Sequence, residues 1–303
     1  MGAFISPSDG MNCLCLTWLL VWYAMEITFF KTLWGFTDSY PHAIDQTMAA
    51  DMQGLEGPVP ETQKERIELR QLLNEHSLDF IAEITTAGTY VPDRQATLQQ
   101  HLDSFKSKLE DSIELNPLFI TCLGGCDAWP EAQSIEFFSR AMELASEFDV
   151  LVSFETHRGR SLFNPWITQW VVEQIPEIRL TCDFSHWCVV CERLIDSELE
   201  IIHQVAKNAH HVHARVGYDQ GPQVPHPAAP EYQPALRAHQ HWWEIIWQSQ
   251  LQRGYQVTTM TPEFGPDGYL HEAPFTQEPV AKLWELNTWM AKEENEHFSR
   301  FRK

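Results

Sequence analysis

The sequence predicts an α/β protein: a single domain built as a closed (β/α)8 barrel of eight parallel strands, each followed by a helix. Three features carry that expectation. Eight short apolar runs alternate in order with longer amphipathic segments between Glu26 and Lys292. Neither a GxGxxG fingerprint nor a Walker loop occurs among them, as a doubly wound nucleotide-binding sheet would require. The last four runs all stop in residues able to bind a metal or move a proton, and in such a barrel the chemistry sits at the C-terminal ends of the strands.

Taken in order, Ile27–Phe36 is the first predicted strand and Tyr40–Asp51 its helix. Met52–Pro58 is the second strand, carrying Glu56 at its end, and the charged segment Thr62–Glu75 is the second helix. Leu78–Thr86 and Asp93–Glu114 form the third pair. Leu118–Gly125 and Glu131–Phe148 form the fourth, with Pro130 suited to a helix start. The fifth strand, the run Asp149–Phe154 that leads into LVSFETHRGR (Leu151–Arg160), is followed by Trp166–Gln174, and the sixth, Arg179–Asp183, by a helix near Asp196–Asn208. His210–Val216 is the seventh strand. A proline-rich loop, Gly221–Pro234, then leads to a Trp-rich helix His239–Arg253, either covering the site as a lid or merely bridging. Gln256–Glu263 is the eighth strand and Thr276–Lys292 the closing helix. Residues 1–25 read as an extension and residues 293–303 as a charged tail.

With 42 acidic against 21 basic residues and a formal charge of -21, the chain is a poor match for a phosphate backbone, so no nucleic-acid partner is expected. Met11–Ala24 is apolar but shorter than the roughly 20 residues that span a bilayer, and Met1–Gly10 holds Asp9 without Lys or Arg. Stable membrane insertion is therefore not expected. Seven cysteines, an odd number in a long chain, suggest a reducing, cytoplasmic setting rather than a disulfide framework, and the Cys188–Cys191 CxxC is a weak metal or redox signal.

The stretch LVSFETHRGR organises the functional reading. Residues two apart on a strand share a face, so Glu155 and His157 point one way while Phe154 and Thr156 point the other. RLTCDFSH, AHHVHAR and VTTMTPE repeat the pattern of an apolar run followed by Asp183, His213 and Glu263. Three oxygens and one nitrogen suit Mn2+ first, then Mg2+ or Co2+, and tolerate Zn2+. Each residue alone has a plainer reading: Glu155 could pair with Arg158 or Arg160, Asp183 could cap the next helix, and His213 could be a core histidine.

FETHRG, DFSHW, HVHAR and PEFG, in that order, resemble the motifs of the xylose isomerase-like TIM barrels, the sugar phosphate isomerase/epimerase group. The resemblance implies Glu155, Asp183, His213 and Glu263 as ligands of one divalent ion. His213 is preferred over His211 because the family's ligand closes the strand. It further implies a sugar, sugar phosphate or polyol substrate and an isomerase or epimerase reaction through a metal-stabilised enediolate. Glu155 and Glu263 would be its acid/base pair and His186 would steady a substrate oxygen. Arg215, His157, His211, Trp34 and Arg158 are candidate substrate contacts. Arg158 and Arg160 read as a phosphate clamp or as surface pairs, Trp129 and Trp187 as stacking or packing rings, and Lys31 and Glu56 as polar wall residues. A lyase or dehydratase on the same scaffold is the alternative. An endonuclease IV-like phosphodiesterase fits worse, for want of histidines at the third and fourth strand ends. By the same resemblance a homo-oligomer is admissible.

Overall fold

The computed structural model describes residues 25–266 and 268–303; the apolar segment Met11–Ala24 lies outside the described residues. Strands β1 (Glu26–Thr32), β2 (Gly54–Pro58), β3 (Asp79–Thr85), β4 (Phe119–Leu123), β5 (Val152–Glu155), β6 (Leu180–Cys182), β7 (Ala209–His213) and β8 (Val257–Thr261) pair in parallel in chain order. Pairing of β8 with β1 closes the barrel. Around it run α1 (Tyr40–Ala49), α2 (Gln63–His76), α3 (Leu98–Ile113), α4 (Glu131–Ala145), α5 (Pro165–Gln174), α6 (Ser185–Val190), α7 (Leu199–Val205), α8 (Gln233–Gln252) and α9 (Leu283–Phe301). Among the described residues no helix is long and apolar enough to cross a membrane.

The helix starts follow from local chemistry. Thr62 and Thr97 each accept from the amide three residues on while Glu65 and Gln100 bond back, so both helices open with a capping box. That box, not the more distant Asp93, decides where α3 begins. Asn164 caps α5 through the Ile167 amide, with Pro165 in the first turn. Pro234, expected to end a loop, stands in the first turn of α8, which therefore starts six residues before His239.

Two expectations need correction at the helices. The single helix predicted at Asp196–Asn208 is a 3-10 turn plus α7, and a separate short α6 precedes it directly after β6. Residues 293–303 are not a tail. They extend α9 to Phe301, and Glu294, His297 and Phe298 form its buried face, while the predicted start at Thr276 lies before Pro279, seven residues ahead of Leu283.

Between strands and helices lies a continuous apolar core in which Phe137, Phe138 and Phe154 are packed edge to face. Complete burial of each such ring contributes about 1.5–3 kcal/mol. Inside the barrel the side chains form layers. Phe30, Ile81 and Phe119 make an apolar floor. Above it a polar layer is linked by hydrogen bonds. Thr181 donates to Ser153 (2.9 Å) and meets Thr121 (3.2 Å), Thr121 donates to Glu56 (3.0 Å), and His211 joins Glu56 (3.0 Å) to Thr259 (2.7 Å). The next layer upward is the mouth.

Candidate active site

Strand-end placement brings Glu155, Asp183, His213 and Glu263 together: one ligand atom of each lies within 4.8 Å of the others, and all four residues are buried. His213 Nδ1 is 3.1 Å from Glu263 Oε2 and 3.5 Å from Glu155 Oε1, yet among the described residues it makes no hydrogen bond. Its other nitrogen meets Glu56 Oε1 at 3.0 Å, which fixes the ring so that Nδ1 faces the carboxylates. A buried imidazole nitrogen left unbonded among three carboxylates is the donor set that a divalent cation would satisfy.

Thr156, on the opposite face of the chain as the alternation predicts, exchanges hydrogen bonds with the Asp183 backbone (2.8 and 3.0 Å) and so locks the ends of β5 and β6 together. Asp183 serves twice. Its Oδ1 accepts from the Ser185 amide (2.9 Å) and hydroxyl (2.5 Å), while Oδ2 accepts from Arg215 Nη2 at 2.5 Å. The same guanidinium donates to His186 Nε2 (2.6 Å) and to Ser185 Oγ (3.1 Å). His186 is thereby an acceptor, consistent with burial holding it well below the ordinary imidazole range; among the described residues its Nδ1 has no hydrogen-bond partner.

The electrostatics are those of an acid-rich, dry pocket. Burial pushes Glu155 up to about 7, against the pull of His213. Burial also raises Asp183, with Arg215 opposing. His213 loses by burial but gains more from Glu263, Glu56 and Glu155, which hold it well above the usual range. Burial disfavours the Glu56 carboxylate, but His213 and His211 outweigh that and hold it well below.

A cavity of about 180 Å³ opens over this centre. Glu155, His157, Arg215 and Glu263 line its depth, and Trp34 and Tyr269, edge to face at 4.9 Å, line one side. Gly265 makes room for the Trp34 ring: a Cβ there would fall 2.0 Å from it. His157 donates through Nδ1 to the Arg158 carbonyl (2.5 Å) and lies 3.9 Å from the His186 ring, centroid to centroid.

Other expected residues lie elsewhere. His211 faces the interior one layer below, where both nitrogens are engaged, and does not line the cavity. Glu56 is beneath the site rather than in its wall. Arg158 lies on the Tyr269 ring at 4.9 Å. Arg160 is neither clamp nor surface pair: fully buried, it donates to the carbonyls of Thr86 (2.6 Å), Gly125 (3.1 Å), Tyr90 (3.3 Å) and Thr89. Lys31 is buried against Trp284 (4.0 Å) and Phe36 (4.7 Å). Trp129 packs on His101 and Phe137, and Trp187 on Phe184 with its N–H on the Leu162 carbonyl, so of the three candidate tryptophans Trp34 alone reaches the cavity. The loop Gly221–Pro234 is a brace, since Gln223 exchanges hydrogen bonds with Gly265 (2.9 and 3.3 Å) and none of the loop lines the cavity. Cys122, Cys126, Cys182, Cys188 and Cys191 are free.

Several cavity residues, Thr89, Tyr90 and Leu123 among them, were not singled out from the sequence, and two of these omissions matter most. Tyr269 follows PEFG by four residues, and an aromatic in that loop was the available signal. Glu83 interrupts the apolar run of β3 on the inward parity of Ile81 and Thr85.

No family model matches the chain, and no curated protein matches it. Solved structures do. The chain is similar to a D-allulose 3-epimerase from Methylomonas sp. in complex with D-allulose, at TM-score 0.61 and 11% identity, covering 90% of this chain and 98% of that one. It is similar to the IolI protein with a bound zinc atom, at 0.62 and 12%, covering 91% and 99%. It is also similar to endonuclease IV from Thermus thermophilus, at 0.58 and 11%, covering 91% and 99%. What is shared is the fold, a closed barrel of eight parallel strands with helices around it. At such identities the likeness is one of fold, and one fold hosts several chemistries.

Proposed function

We propose that this chain is a divalent-metal-dependent epimerase or isomerase of a small sugar or polyol. The observation that carries the reading is that Glu155 and Glu263 both face one small cavity and both flank the unbonded nitrogen of His213. Glu155, Asp183, His213 and Glu263 would hold the ion, a mixed hard set that suits Mn2+ ahead of Mg2+, Co2+ or Zn2+. When bound, such an ion supplies Lewis-acid polarisation of a carbonyl and its neighbouring hydroxyl, which acidifies the adjacent C–H bond.

The chain's own residues then divide the work. Glu155, raised toward neutrality by burial, is suited to take a proton from carbon at pH 7, and Glu263 to return one. His186, kept neutral, and Arg215, braced by Asp183 and Ser185, would orient substrate oxygens. Trp34 and Tyr269 offer ring faces to a sugar's C–H edge and exclude water. The similarity to a structure holding D-allulose supports a sugar as the substrate class. The acidic balance of the chain speaks against phosphodiester cleavage. Free cysteines in the described residues support a cytoplasmic location.

Glu155→Gln and Glu263→Gln test the assignment. Each should retain its fold and lower solvent-deuterium exchange into a panel of ketoses by about 100-fold or more, read by NMR on Mn2+-loaded protein. Undiminished exchange in both variants removes the pair from the chemistry. A dehydrated product from the wild type would instead move the reading to the lyase alternative.

A further inference from the structure

Glu83 sits on β3, between Pro58 of β2 and Thr121 of β4 in register, and its side chain opens into the cavity together with Thr85 and Thr89. Among the described residues it has no hydrogen bond and no ion pair. The other acids at the mouth have polar or charged neighbours: Glu56 two histidines and Thr121, Asp183 Ser185 and Arg215, Glu263 the Arg215 guanidinium at 3.6 Å, and Glu155 the His213 ring at 3.5 Å. Half-buried and lining the cavity without a protein partner, the carboxyl keeps its hydrogen-bonding capacity for what the cavity binds.

Its position narrows the partner. In the closed order of eight strands, β3 lies four strands from β7 and so across the barrel from His213 and Arg215. A substrate whose reacting carbons sit against the β5–β8 side must carry its remaining groups toward Glu83. Those groups are not phosphates, because the lining offers one guanidinium, Arg215, whose charge is already shared with Asp183 and Glu263. Hydroxyls fit a carboxyl and two threonines, and their C–H faces fit Trp34 and Tyr269.

Resting on the reading under Proposed function, we infer that Glu83 is a hydroxyl-binding residue that makes this a site for a neutral, unphosphorylated polyhydroxy substrate. The rival arrangement, a terminal phosphate held at the mouth by Arg158 on Tyr269, gives the opposite ranking of ligands. Calorimetry of the Mn2+-loaded full chain with D-allulose, D-fructose and xylitol, and with the terminal phosphate esters of the two ketoses, decides between them.

The unphosphorylated compounds should bind more tightly than the esters. Glu83→Met, close in volume and apolar, should weaken them about 10- to 100-fold, the worth of hydrogen bonds to a charged group. Its melting temperature should hold or rise, because an unpaired carboxyl is gone, and Mn2+ affinity should be unchanged. Glu83→Gln, which keeps the polarity, stands in should the methionine variant fail to fold, and it should weaken the sugars in the same direction.

Tighter binding of the esters, no binding of any unphosphorylated compound, or unchanged sugar affinity in the folded variant overturns the inference. Failure of the wild type to take up Mn2+ is a different result and strikes the proposed function itself.

Discussion

His211 and His213 stand two residues apart on β7 and share the inner face of the barrel, but their surroundings separate their roles. Thr259 takes one nitrogen of His211 while Glu56 and Thr261 take the other (2.7–3.1 Å), so nothing is left to offer a ligand. One layer up, His213 gives Nε2 to the same glutamate and keeps Nδ1 unbonded among three carboxylates. The two rings also end on opposite sides of the ordinary imidazole range: burial outweighs Glu56 and lowers His211, whereas the surrounding carboxylates outweigh burial and raise His213. Residue type and strand parity are therefore insufficient to name a ligand. What distinguishes the two is which nitrogens the protein has already used.

The contrast breaks most visibly at His213. His213→Gln should weaken Mn2+ binding more than about 100-fold by calorimetry, beyond the loss usual for an outer hydrogen-bond partner. A small change there would return His211 to consideration as the ligand. Glu56→Gln, which touches both histidines, should cost about 10–100-fold in Mn2+ affinity because the His213 ring loses the acceptor that orients it. His211→Gln should do least to the metal and act on the fold instead. Leaving Glu56 and Thr259 short of a partner should lower unfolding stability by about 1–3 kcal/mol in a urea titration, with Mn2+ affinity close to wild type. If metal binding fell as far as in the His213 variant, the two layers would not be distinct.

Much of the barrel was legible because its strands are short apolar runs whose ends change character abruptly. Glu155, Asp183, His213 and Glu263 each close such a run, and all four meet. Glu83 was hidden because it lies inside FIAEIT rather than at its end, where a single charge looks like the edge of a helix pattern. Arg160 was hidden for the converse reason. In a glycine-containing loop an arginine reads as solvated, and only the folded chain shows the backbone carbonyls converging on it. SHWCVV is too short and too uniformly buried to show a helical period. At the C-terminus the mixture of Lys, Glu and Arg concealed the spacing of Glu294, His297 and Phe298, which form one buried face.

The Arg160 cluster gives the rim two unlike halves. A single guanidinium gathers carbonyls from the loop after β3, at Thr86, Thr89 and Tyr90, and from the loop after β4, at Gly125. Tyr90 cannot swing outward alone, since displacing it disturbs a shared anchor that also fastens the neighbouring turn. On the Trp34 and Tyr269 side the rim carries ring contacts and cation–π stacking. A molecule arriving from bulk water therefore meets a flank tied by a buried guanidinium on one side and a flank of stacked rings on the other.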